Sequence, residues 1–271
     1  MTKLKMSLLA TVVAGLLSPV AHAHRTWLLP SAGQVEGEEP WVTVDAAVSE
    51  NLFHLDANPV KLDGLSVVGP DGAAVAPENA FTGRLRSTFD LKLAKPGTYK
   101  VSVVAESALA SYKLNGEAKR WRGSEAEMAK ALPADAAEVA VTRMHNRVET
   151  FVTAGKANDI ALKTTGVGLE LVPLTHPSDL MAGQKASFRF LIDGKPAAGL
   201  AVSVIPGGVR HRGVLKEISP VTDAQGEFSV TWPEGGMYWV GAGFPARTAQ
   251  PPATPPARRL SYSATLEVLP E

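Results

Sequence analysis

The sequence predicts an all-β protein built from two immunoglobulin-like or transthyretin-like β-sandwich units with one short helical insertion. Three observations carry that class. Short runs alternating at period two recur along the chain. Turn residues such as Gly69-Pro70-Asp71-Gly72, Asp193-Gly194 and Asp223 to Gly226 separate them at the spacing of a sandwich. One pattern also repeats: Phe89, Gly97, Tyr99 and Val101 recur as Phe228, Gly236, Tyr238 and Val240, each 139 residues further on. Each copy reads as strand, glycine turn, strand, a hairpin near the end of its unit, and the constant offset argues for duplicated architecture.

Taken in order, residues 1–23 read as an address. Lys3 and Lys5 precede an apolar run, Met6 to Leu17, which Ser18 and Pro19 break. Ala21-His22-Ala23 then supplies small residues at −3 and −1, the pattern of a secretory signal peptide cut after Ala23. A cut after Ala21 is the second choice, because it puts Pro19 at −3. The run of 12 residues falls short of the roughly 20 that span a bilayer. The expectation is therefore export to a bacterial periplasm with no membrane span after cleavage; an uncleaved anchor is the competing reading.

The first unit is expected over residues 24–166, with strands at Trp41–Val48, Arg86–Leu93 and Tyr99–Val104. Ser124 with Glu127 forms a capping-box pair and Pro133 stops the run, which predicts a helix near 124–132 in an insertion. The seam falls near Thr164 to Gly168. The second unit, 167–271, carries strands at Lys185–Leu191, Ala201–Ile205 and Glu227–Trp232. Phe244 to Arg258 is rich in Pro and Ala and reads as an exposed loop before a last strand, Leu260 to Leu269.

Composition removes several functions. Lys and Arg number 27 against 27 Asp and Glu, which leaves no general electrostatic grip on nucleic acid. The absence of cysteine excludes disulfides, cysteine-based metal sites and a thiol nucleophile. No nucleophile elbow, P-loop or dinucleotide fingerprint is present, so a non-enzyme is expected.

His24 is the residue with distinctive chemistry. Cleavage after Ala23 makes it the mature N-terminus, where the α-amine and ring Nδ1 can chelate one metal ion together. The amine titrates at about 7.7–8.0, so a metal can displace its proton near neutral pH. A second imidazole would complete a three-nitrogen brace suited to Cu, Ni or Co. The competing reading is a solvated side chain that happens to come first. Cleavage after Ala21 would instead place His24 third, in an amine–amide–imidazole chelator. Of the other histidines, His54 and His176 are the candidates for the further ligand; Asp56 and Asp179 lie close to them in sequence. His145 and His211 sit among arginines that repel a cation, and no H-x-H or H-E-x-x-H pair occurs in the mature chain.

Four stretches carry a resemblance. Ala23-His24-Arg25-Thr26-Trp27-Leu28-Leu29-Pro30, the run Leu169 to Leu180 around His176-Pro177-Ser178-Asp179, Phe188 to Gly199, and Thr222 to Phe228 resemble the exported bacterial family carrying domain of unknown function 4198. The first two are the more specific. The resemblance implies a periplasmic component of nickel or cobalt uptake working with an inner-membrane metal transporter, and it adds weight to His24 and His176. The expectation is a carrier that holds Ni, Co or Cu, with His24, His176 and His54 as metal ligands. The alternatives are a β-sandwich binding or adhesion module without metal, or an accessory subunit of a membrane complex. A copper oxidase built on the same brace ranks third.

Overall fold

The computed structural model describes residues 24–246 and 254–271. Residues 1–23, where a signal peptide and its two alternative cleavage points are expected, and residues 247–253 of the Pro/Ala-rich stretch lie outside the described residues. The chain is all-β. The first half contains β1 (Arg25–Pro30), β2 (Gln34–Val35), β3 (Trp41–Ser49), β4 (Asn58–Pro59), β5 (Leu65–Val68), β6 (Glu78–Thr82), β7 (Ser87–Lys92), β8 (Gly97–Leu114), β9 (Glu117–Gly123), helix α1 (Glu125–Ala131) and β10 (Ala137–Ala154). The second contains β11 (Leu169–Pro173), β12 (Lys185–Ile192), β13 (Lys195–Pro196), β14 (Val202–Pro206), the single turn α2 (Val209–Arg212), β15 (Glu227–Thr231), β16 (Gly236–Phe244) and β17 (Arg258–Val268). α1 begins where the sequence signals it. Ser124 Oγ accepts from the Glu127 N–H, and the Glu127 carboxylate accepts from the Ser124 N–H in return.

Three sheets form two sandwiches. Sheet A runs β1-β3-β7-β6 with β4 beside β3, and sheet C runs β11-β12-β13 with β15 beside β12. Sheet B, ordered β14-β16-β17-β10-β8-β5, runs through both halves. Its joint is the parallel pair β10–β17, with Arg147 opposite Tyr262 and Glu149 opposite Ala264. Side chains alternate across a strand, and that alternation decides the packing. Val101, Val103, Val148 and Val152 point to one face and make the first core with Leu28, Val44, Phe89 and Leu91 of sheet A. Tyr238, Val240, Leu260, Tyr262 and Leu266 point to the opposite face and meet Phe188, Phe190, Phe228 and Trp232 under sheet C. Sheets A and C thus cover opposite faces of one shared sheet.

The repeated motif is corrected in one respect. β7 lies in sheet A and β8 in sheet B; β15 lies in sheet C and β16 in sheet B. Neither copy is a hairpin. Each is a corner where the chain changes sheet. The Tyr99 hydroxyl donates to the Lys95 carbonyl at 2.8 Å, and the Tyr238 hydroxyl donates to the Glu234 carbonyl at 2.8 Å. This is the tyrosine corner of immunoglobulin-like sandwiches. Gly97 and Gly236, at φ of +133° and +139°, provide the backbone turn that each corner needs. Alternating residues around a glycine look alike in sequence whether the flanking strands pair or part.

Candidate functional site

The site is on the sheet A face of the β10–β17 joint, where the cover of sheet A ends. A cavity of about 690 Å³ opens there, within the range of small-molecule pockets. Its floor is the bare part of sheet B, including Val103, Val148, Ser203, Gly241 and Ser263. Its wall is the start of β1 together with Val48 and the segment Pro59 to Lys61. The Trp239 ring lies along the floor because Gly241 has no side chain; a Cβ there would stand 2.0 Å from the ring.

β1 is pinned over this floor. The Thr26 carbonyl accepts from Trp239 Nε1 and from Ser263 Oγ, each at 2.9 Å. Next along the strand, Trp27 is buried and donates from Nε1 to Ser49 Oγ at 2.8 Å. Trp27 also joins Leu52, Ile205 and Val209 in a small third core that bridges the two halves. These contacts fix where residues 24 and 25 go. His24 sits at the cavity mouth, half-exposed, with Nε2 3.6 Å from Glu50 Oε1. Arg25 stacks over Trp239 at 5.8 Å from the ring centroid. Burial pushes the Arg25 guanidinium below its ordinary pKa, partly offset by the negative charge of Glu217.

The other two candidate ligands lie elsewhere. His54 follows β3 in the loop that Asp56 braces: Asp56 accepts from the Glu50 and Asn51 N–H groups and from the Asn51 side chain, each at 3.0 Å. Burial alone would raise the Asp56 carboxyl; these hydrogen bonds and the nearby His54 outweigh it and leave it lowered. His54 Nε2 meets the Arg210 guanidinium, which uses the nitrogen's lone pair and puts a positive charge beside it. His176 has no lone pair to spare. Its Nδ1 accepts from the Ser178 N–H at 3.1 Å and contacts Ser178 Oγ at 2.7 Å, which leaves the proton on Nε2. That nitrogen faces Thr98 Oγ1 at 3.2 Å and the Asn158 carbonyl at 3.3 Å. His176 therefore caps a 3₁₀ turn, Pro177–Asp179, and ties the second half to β8. Along β10, Thr153 beside Thr98 and Asn146 at the cavity are seven residues apart, about 23 Å of strand. His24, His54 and His176 are not brought together, and no three His, Asp or Glu side chains cluster for a metal among the described residues.

On the opposite face of the joint the charged groups are closed off and bonded to one another and to their neighbours, although Arg147 Nε and His145 Nδ1 are buried without a hydrogen bond among the described residues. Arg147, Glu149 and Glu170 are all nearly fully buried. Glu149 accepts from Tyr262 at 2.8 Å, Ser102 at 3.0 Å and Arg147 at 3.2 Å. Glu170 accepts from the Thr165 and Gly166 N–H groups at 2.7 and 2.8 Å. Arg147 donates to Thr165 Oγ1 and to the Val167 carbonyl. This network fastens the segment between the halves. Sequence reasoning missed it, and missed Arg25, Lys61 and Glu217 at the cavity and Glu50 beside His24. The available signal was Arg147 and Glu149 two residues apart, hence on one face of a strand whose following residues Phe151 and Val152 are apolar.

Residues 21–245 match the family described as Domain of unknown function (DUF4198), and the chain belongs to that family. No curated protein matches the chain. Among solved structures, the D0-D1 domain of intimin is similar at 14% identity and a TM-score of 0.21, over 89% of this chain and 97% of that one. The human OSCAR ligand-binding domain is similar at 14% identity and a TM-score of 0.21, over 90% and 98%. A D1-D4 ectodomain fragment of ICAM-5 is similar at 10% identity and a TM-score of 0.23, over 91% and 51%. Likenesses this slight carry no functional argument; the immunoglobulin-like description rests on the chain's own strands and corners.

Proposed function

We propose that the chain is an exported, periplasmic metal-binding protein that takes up Ni, Co or Cu through His24 once the signal peptide is removed, and passes it to an inner-membrane importer. The reading assigns it no catalysis. One observation supports it above the others: His24 stands directly before β1, with Nε2 3.6 Å from the Glu50 carboxylate. A metal-bound imidazole commonly gives its other ring N–H to a carboxylate, which fixes the tautomer and the ring. Glu50 facing Nε2 leaves Nδ1 free to join the mature α-amine on one ion. Thr26 and Trp27 anchor the strand that follows His24. His54 and His176, both engaged elsewhere, take no part, so further ligands come from water. Among the described residues no helix is long and apolar enough to cross a membrane.

Nickel or copper titration followed by calorimetry tests the reading. The processed protein binds one ion; one extra residue before His24 removes tight binding, and His24→Ala abolishes it. Glu50→Gln weakens binding about 10- to 100-fold, whereas His176→Gln leaves affinity unchanged. Equal affinity with and without the extra residue would exclude the amine as a ligand.

A further inference from the structure

The cavity behind His24 carries a second inference, independent of the metal. Its walls are mainly apolar: Val48, Val60, Val103 and Val148 all reach it. Two cations also line it, Arg25 and Lys61. Among the described residues neither side chain makes a hydrogen bond or an ion pair; Lys61 is exposed, whereas Arg25 is partly buried against Trp239. Glu217, also on the lining, is near enough to influence Arg25 but forms no ion pair with it. A guanidinium withdrawn from water without an acceptor is costly, and its planar fork matches a carboxylate. The two faces of the shared sheet sharpen the point. Arg147, on the closed face, has acceptors at Glu149, Thr165 and Val167, while Arg25 on the open face has none.

We infer that this cavity binds a small organic carboxylate with an apolar body, its carboxylate held by Arg25 and Lys61 and its body laid over Trp239 and the valine wall. Volume, lining and charge agree on that class. A neutral apolar molecule leaves the partly buried Arg25 without an acceptor, and a bare inorganic anion leaves the valine wall wet.

The test uses octanoate and its neutral isostere octanamide, titrated calorimetrically into the purified protein in chelator-treated buffer. Octanoate binds at one site with Kd below about 1 mM, and octanamide binds at least about tenfold more weakly. Arg25→Gln and Lys61→Gln, on separate segments, each lower octanoate affinity by about tenfold and leave octanamide unchanged. Ala201→Trp, at an exposed position on the lining, fills the cavity and removes both ligands. Circular dichroism confirms that each variant is folded. Failure of octanoate to bind, equal affinity for acid and amide, or unaltered octanoate binding in both charge variants would overturn the inference. Because metal is absent throughout, these outcomes stand whether or not His24 is a metal ligand.

Discussion

The strand pair β10–β17 presents two faces to two different environments. On one, Arg147 is buried between Glu149 and Glu170 and pairs with both, while Tyr262 and the segment 165–167 supply the remaining hydrogen bonds. On the other, Asn146, Val148, Ser261 and Ser263 floor an open cavity edged by His24, Arg25 and Lys61. The closed face fastens the two halves together. The open face offers groups with capacity left over: a histidine ring at a strand start, and two cations whose side chains have no hydrogen-bond or ion-pair partner among the described residues. Burial decides the difference. A buried charge must be satisfied within the chain, whereas a charge at a mouth can wait for a ligand.

The strongest way to break this contrast is Arg147→Ala. It leaves Glu149 and Glu170 buried beside an empty place and costs about 3–5 kcal/mol, read by urea unfolding. Ser203→Ala on the cavity floor stays within about 0.5 kcal/mol; comparable losses would erase the distinction between the faces. Gly168→Ala is next. Its added Cβ would stand 2.5 Å from the His145 ring, at a φ of +78°, and the loss is about 1–3 kcal/mol. Gly166→Ala, at φ +77° with nothing within 4 Å, carries only the backbone part of that cost, about 1 kcal/mol. Tyr99→Phe and Tyr238→Phe each lose about 1 kcal/mol of corner hydrogen bonding, so similar melting shifts are expected in both halves.

The smallest expected effect depends on pH. Burial, then the charge on Arg147, lowers His145 from its ordinary 6.5; Arg258 acts the same way, while Glu106 and Asp193 oppose it. Asp193 is itself pushed down to about 2 by hydrogen bonds from Arg258 and the Gly168 N–H, so it stays ionised across the range. Below about 6.5 the unfolded chain binds more protons at His145 than the folded one, so the contribution is complete above that pH and is lost on acidification. Urea midpoints taken above and below about pH 6.5 should fall less for His145→Gln than for the parent chain. An equal fall in both would place the titration elsewhere.

Local chemistry was legible in the sequence. The period-two runs and the Ser124/Glu127 cap depend on residues a few positions apart, and they appear as strands and a helix start; the Gly97/Tyr99 and Gly236/Tyr238 repeat was visible too, but it read as two hairpins where the chain makes two corners between sheets. Pairings that depend on distant partners were not legible. Nothing in the run Ala137 to Ala154 signals that it will lie parallel to Arg258–Val268. His176 looked available because Thr98, its partner on the other half, is 78 residues away. Arg25 and Lys61 have no shared spacing, and only the fold brings both to one cavity.

The intact mass of the protein recovered from the cell envelope, recorded with and without added nickel or copper, tests the central claim most directly. The account predicts a chain beginning at His24 that gains one metal ion, with the gain lost in His24→Ala. A chain beginning well away from His24, or one that starts there and gains no metal, would contradict it.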